Sequence, residues 1–170
     1  MIQVHAHRGA SGYAPENTMP AFRKAMELGA HGIECDIHLT TDHQYIVCHD
    51  DDIERTSNGS GKLSQMTAAE ARSFDFTAKF PGWQGEPATA PLLDEVLETV
   101  STMEFVNIEI KGPFRPGQDM QAAFVLLMDS LRRFHCADRT ILSSFGHSWL
   151  KEFHERYPSV RTGLLYSDKY

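Results

Sequence analysis

The 170-residue sequence predicts an α/β fold in which parallel strands curve into a (β/α) barrel, and three observations carry that expectation. Strand-like runs alternate with helix-like runs, the pattern of βαβ units on a parallel sheet. Two strands separate their residues by face: Glu34 and Asp36 oppose Ile33, Cys35 and Ile37, while Asn107, Glu109 and Lys111 oppose Ile108 and Ile110. The polar residues also gather near strand ends. A doubly wound sheet, the competing architecture, has helices on both faces and would bury those charges at a cost of several kcal/mol each. A barrel turns the isoleucines outward against helices and leaves the acids at a mouth open to water.

The elements follow in order. A strand is expected over 2–7, then a loop, then a helix capped by Asn17 or Thr18, with Pro20 in its first turn, Phe22, Ala25 and Met26 along its apolar stripe, and Gly29 as its stop. Strands over 32–40 and 44–49 flank the polar turn Thr41-Asp42-His43 and should be neighbours. Residues 51–90 read as an insertion or lid: they hold the flexible Ser57-Asn58-Gly59-Ser60-Gly61, a capping box from Thr67 to Glu70, and a Gly- and Pro-rich loop around Trp83. Regular alternation resumes with helices over 92–100, 120–134 and 149–157 and strands over 105–111, 140–145 and 161–166. The stripe Phe124, Leu127, Met128, Leu131 is core. The whole, 1–170, reads as one domain.

Composition narrows the partners. Sixteen Lys and Arg against 23 Asp and Glu give a net charge of -7 with no basic run, which disfavours nucleic acid and anionic membrane surfaces. The chain begins in a strand-like run rather than a secretory leader and holds no membrane span, so a cytoplasmic protein without stable membrane insertion is expected. Cys35, Cys48 and Cys136 are an odd number at no metal-like spacing and read as reduced, buried thiols.

Three inward carboxylates, Glu34, Asp36 and Glu109, would repel one another unless neutralised, and an all-oxygen set suits one hard divalent cation, Mg2+ or Ca2+. Pairing with Arg8, Lys111 or a loop cation is the alternative. His7 and His49, both at strand ends, offer one imidazole to take a proton and one to give it. Arg8 and Lys111 could clamp a phosphoryl group. Together these residues point to phosphoester cleavage.

His7-Arg8-Gly9, Pro15-Glu16-Asn17-Thr18, Glu34-Cys35-Asp36, His49-Asp50 followed by Arg55-Thr56, and Glu109-Ile110-Lys111, in that order, resemble the glycerophosphodiester phosphodiesterase family. Ser143-Ser144-Phe145 resembles the family's next strand. The resemblance implies a metal-dependent TIM-barrel hydrolase that cleaves a small-molecule glycerophosphodiester to glycerol 3-phosphate and an alcohol. It further implies Glu34, Asp36 and Glu109 as metal ligands, His7 and His49 as acid and base, Arg8 and Lys111 as phosphate contacts, and Glu16 in the lining of the site. The insertion after His49 resembles the one that covers the family's mouth. Within this class, a lysophospholipase D-type activity is the variant reading.

A TIM barrel needs roughly 250 residues. The six strands expected here leave two unaccounted for, so the chain is expected to be part of a longer protein or to complete itself by self-association. A non-enzymatic metal- and phosphate-binding truncated barrel is therefore the second functional reading. Lesser motifs resolve simply. Gly59-Ser60-Gly61-Lys62 lacks both ends of a phosphate loop. Asp50-Asp51-Asp52 lacks the spacing of a calcium loop, and Asp50 is the best candidate for orienting a neighbour. Trp83 should pack the insertion onto the barrel rather than contact substrate, and His147 and His154 should face solvent or the sheet.

Overall fold

The computed structural model describes residues 2–112 and 119–167. Its elements are β1 (His5–His7), α1 (Met19–Glu27), β2 (Gly32–Leu39), β3 (Tyr45–Val47), α2 (Ala68–Ala71), α3 (Leu93–Thr99), β4 (Phe105–Ile110), α4 (Met120–Arg133), β5 (Thr140–Ser144), α5 (His147–Arg156) and β6 (Arg161–Leu164). Two 3-10 turns, Ile53–Arg55 and Leu63–Gln65, lie in the segment after β3.

The sheet runs β1-β2-β4-β5-β6, every neighbouring pair parallel. This order follows the chain without reversing. A doubly wound sheet must reverse at a switch point, so the arrangement is an arc of a barrel. Among the described residues no ladder joins β1 to β6, and the barrel is not closed by hydrogen bonds.

β3 departs from the parallel pattern. It pairs with β2 as expected but antiparallel, Ile37 opposite Val47 and Leu39 opposite Tyr45. The cause is the length of its connection: residues 40–44 make a tight turn, whereas a parallel crossover takes a dozen residues or more. Thr40 Oγ1 donates to Asp42 Oδ1 (2.6 Å) and accepts from Gln44 N (3.0 Å), fixing that turn. Of the six strands, then, five form the parallel arc.

Strand alternation sets the layers. Val106, Ile108 and Ile110 of β4 are buried, as are Ile33, Cys35 and Ile37 of β2, and they pack against α1, α3, α4 and α5. From α4, Phe124, Leu127, Met128 and Leu131 enter this core at the spacing of one helical face. The opposite, concave face of β4 carries Asn107 and Glu109, both half-buried. Gly9, at φ +75, lies where the loop after β1 crosses α1: a Cβ there would come within 2.7 Å of the Ala21 carbonyl carbon, so only glycine fits.

The segment after β3 builds a second cluster of buried residues, Ile46, Cys48, Ile53, Leu63, Ala71, Phe76 and Ala90. β3 therefore faces two cores, with Tyr45 and Val47 in the main one and Ile46 in the smaller, which Cys48 just beyond the strand also joins. Trp83 stays within this segment, edge-on to Phe80 and donating through Nε1 to Glu86 O (3.1 Å). All three cysteines are buried and unbridged. No helix of the described residues is long and apolar enough to cross a membrane.

Candidate active site

Register brings the acids together. β2 and β4 pair so that Glu34 lies opposite Asn107 and Asp36 opposite Glu109, placing all the polar residues on one face across two adjacent strands. One carboxylate oxygen from each of Glu34, Asp36 and Glu109 lies within 4.8 Å of the other two. Asp36 is fully buried, Glu34 nearly so and Glu109 half-buried.

Two cations meet this cluster. Lys111 Nζ donates to Glu109 Oε1 (2.6 Å) and stands 2.9 Å from Asp36 Oδ1 without hydrogen-bond alignment. Arg8 donates its backbone N–H to Glu34 Oε2 (2.9 Å), while its buried Nε stands 3.4 Å from Asp36 Oδ2, again without a hydrogen bond. Basic side chains, the alternative to a metal named above, thus meet the same three acids whose oxygens could hold an ion. Burial, then the charge of Asp36, raises the Glu34 carboxyl to about 7. Burial also raises Glu109, against the pull of Lys111. Buried oxygens crowded with like charge, Asp36 Oδ1 lacking any hydrogen bond, fit a hard divalent cation.

The loop after β1 supplies the rest. Arg8 (φ 58), Gly9 and Asn17 (φ 55) all sit in the left-handed region, so the chain turns sharply back over the sheet. Arg8 Nη1 donates to Glu16 Oε1 (2.9 Å). Asn17, buried, donates from Nδ2 to Asp36 Oδ2 (2.7 Å) and accepts the Asp36 N–H at Oδ1 (3.3 Å). A role for Asn17 beyond capping α1 is not readable from sequence. Thr18 is the N-cap, but its hydroxyl donates to Pro15 O (2.6 Å) instead.

His7 ends β1 largely exposed, its Nε2 3.9 Å from Glu34 Oε2. His49 follows Cys48, whose N–H donates to Asp36 O (3.0 Å), and its own carbonyl lies 3.1 Å from His38 Nε2. Strict alternation would set His49 with Tyr45 and Val47 against the main core. β3 stops at Val47, the chain bends, and the His49 ring meets Asp50 instead, Nδ1 to Oδ1 at 2.6 Å. Arg55 then bridges two acids: Nη1 and Nη2 donate to both Glu16 oxygens (3.0 and 2.7 Å) and Nε donates to Asp50 Oδ2 (2.5 Å). The hydrogen bond from Arg55 holds the Glu16 carboxyl below its usual range against the opposing effect of burial. Burial pushes Asp50 up, but Arg55 and His49 outweigh it and leave it low. Arg55 appears in the sequence motif, but nothing local reveals its partners, which are 39 and 5 residues away.

Asp51 and Asp52 serve the insertion instead. Asp51 accepts from Ser64 N and Oγ (both 2.7 Å), and Asp52 caps the Ile53–Arg55 turn. His147 binds Leu165 O (2.8 Å), and His154 is exposed.

Three acids gathered on the concave side of a barrel arc, with Arg8 and His7 beside them, make a site of the kind barrel enzymes carry at the strand ends, suited in its chemistry to a cation and an anionic ligand. The chain belongs to the glycerophosphoryl diester phosphodiesterase family, whose pattern matches residues 7–170. It is 40% identical over 166 residues to the glycerophosphodiester phosphodiesterase of Caldanaerobacter subterraneus, covering 96% of this chain and 66% of that one. It is 37% identical over 172 residues to the glycerophosphodiester phosphodiesterase of Bacillus altitudinis, covering 99% and 68%. Among solved structures it superposes with a TM-score of 0.84 on an Oleispira antarctica phosphodiesterase in complex with the product sn-glycerol-3-phosphate, at 29% identity over 98% of this chain and 67% of that one. A glycerophosphodiester phosphodiesterase from Agrobacterium tumefaciens gives 0.83 at 28% identity, covering 95% and 66%. The chain thus spans about two thirds of the length of the relatives it matches.

Proposed function

We propose that this chain carries the catalytic arc of a divalent-cation-dependent phosphodiesterase that cleaves glycerophosphodiesters to sn-glycerol 3-phosphate and an alcohol. It is read as one barrel domain with an insertion over 51–90. The observation that carries this reading is the gathering of Glu34, Asp36 and Glu109 within 4.8 Å, beside Arg8 and His7. The product held by the Oleispira antarctica phosphodiesterase supports the substrate class.

Glu34, Asp36 and Glu109 would hold one Mg2+ or Ca2+. When bound, such an ion neutralises charge on the phosphate oxygens and makes phosphorus more electrophilic. Arg8 binds a phosphate oxygen through its guanidinium, which Glu16 steadies. Lys111 adds a point charge at the same rim. A carboxylate 2.6 Å from His49 Nδ1 favours the tautomer protonated there, leaving Nε2 free to accept a proton. In this reading His49 takes the proton of the substrate's glycerol 2-hydroxyl as that oxygen attacks phosphorus, and His7 gives a proton to the departing alcohol. Water then opens the cyclic phosphodiester with the two roles reversed.

The test is release of glycerol 3-phosphate from glycerophosphocholine, abolished by a chelator and restored by Mg2+ or Ca2+. The half-exposed concave face of β4 favours one second reading, binding without turnover. Ion and phosphate binding by a folded chain that releases no product would establish it.

A further inference from the structure

Asp50 is held by two groups, His49 on one oxygen and Arg55 on the other. Glu16 is also held twice, by Arg55 and by Arg8. The two acids therefore respond differently to loss of Arg55: Glu16 keeps the guanidinium of Arg8, whereas Asp50 is left with the imidazole it is meant to orient. Arg55 itself stands on a rigid base. Ile53, in the same 3-10 turn, is fully buried in the smaller core, Asp52 caps that turn, and Ser57 closes it through N–H and Oγ bonds to Ile53 O (3.0 and 2.8 Å).

The geometry points to Arg55 as a positioning residue, acting on His49 through Asp50 and tying the insertion to the catalytic rim. The planar fork is what permits this. Three N–H groups of one side chain reach two carboxylates on separate loops, which a lysine ammonium with its single point charge cannot reproduce. A carboxylate pinned on one oxygen has its other oxygen aimed, and the aimed oxygen selects the Nδ1–H tautomer of His49. Released from Arg55, Asp50 turns into solvent and His49 samples both tautomers. The insertion then contributes to turnover as the anchor of a proton-transfer group as well as a cover for the mouth. The kinetic part of this inference rests on the hydrolase reading above; the tautomer part does not.

The experiment compares wild type, Arg55→Gln, Asp50→Asn and the double variant in two measurements. Imidazole 15N shifts of His49, assigned by comparison with His49→Ala, report which ring nitrogen carries the proton and need no turnover. Kinetics on glycerophosphocholine with saturating Mg2+ or Ca2+ report kcat and KM separately. In Arg55→Gln the two ring nitrogens should converge toward averaged shifts, with kcat down about 10- to 100-fold and KM within about threefold of wild type. Asp50→Asn should do the same, and the double variant should fall no lower than Asp50→Asn alone, because both changes break one chain. If Arg55→Gln does not fold, Arg55→Lys takes its place with the same expected directions. Unchanged His49 shifts overturn the inference. So does an unchanged kcat in Arg55→Gln when His49→Ala is inactive. Wild-type protein without turnover defeats the hydrolase reading instead, and the shifts alone then decide the role of Arg55.

Discussion

Asn17 and Asp36 are joined twice: the Asn17 carboxamide donates to the Asp36 carboxylate at 2.7 Å and accepts the Asp36 backbone N–H at 3.3 Å. Both residues are buried, and they come from different segments, the loop after β1 and the middle of β2. The bonds lock one oxygen of the central acid of the cluster, so the other stays turned toward Lys111 and Glu109.

Asn17→Ala should therefore destabilise the fold and loosen the cluster. Losing a buried hydrogen bond to a charged group costs about 1.5–3 kcal/mol. An alanine at φ 55 adds backbone strain of about 1–2 kcal/mol, which Asn17→Gly separates because glycine tolerates that conformation. Urea midpoints of the two variants measure both terms. Calorimetric titration with Mg2+ or Ca2+ should show affinity reduced about 10- to 100-fold in each.

His7→Ala and His49→Ala should each lower turnover of glycerophosphocholine by about 100- to 10,000-fold while leaving ion affinity unchanged. Neither ring belongs to the carboxylate cluster. Full activity in one variant removes that histidine from the proton-transfer scheme, and lost ion binding shows a structural role instead.

Glu34 makes the ion-free protein pH-sensitive. Its carboxyl holds a proton up to about 7 in the folded chain against an ordinary 4.5, because burial and the Asp36 charge oppose ionisation. A folded-state pKa above the unfolded one contributes stability that is complete below about 4.5 and lost as pH rises toward about 7. In chelator, the urea midpoint of wild type should thus fall relative to that of Glu34→Gln across this window. Mg2+ or Ca2+ should reverse the trend, since the ion favours the ionised carboxylate and binds more tightly as the proton leaves.

Phe124 tests the other face of the sheet. It is fully buried, edge-on to Phe153 at 5.2 Å between ring centroids. Phe124→Ala should cost about 3–5 kcal/mol by urea denaturation, through lost transfer energy and the cavity left behind. Ion affinity of the folded fraction should stay at the wild-type value, because Phe124 packs in the helix-covered core, opposite the carboxylates. A proportional loss of affinity would mean that the two faces of the sheet are coupled.

Much of this architecture is legible in the sequence because it depends on parity within one strand. Ile33, Cys35 and Ile37 against Glu34 and Asp36, and Ile108 and Ile110 against Asn107 and Glu109, sort onto two faces whatever surrounds them. Helix stops and stripes are similarly local, as with Gly29 and the Phe124 to Leu131 face. Parity fails where a strand ends. His49 has the parity of Tyr45 and Val47 yet meets Asp50, because the chain bends after Val47.

The sequence by itself determined the alternating elements, the two-faced strands and the identity of the acids and imidazoles, since each follows from backbone periodicity and side-chain chemistry over a few residues. Only the tertiary structure decided that β3 runs antiparallel, that Lys111 sits between Glu109 and Asp36, that Asn17 holds Asp36, and that Arg55 spans Glu16 and Asp50. Those relationships join segments through loop paths and strand register. Such paths are set by how the whole arc packs against its helices, and no local pattern encodes them.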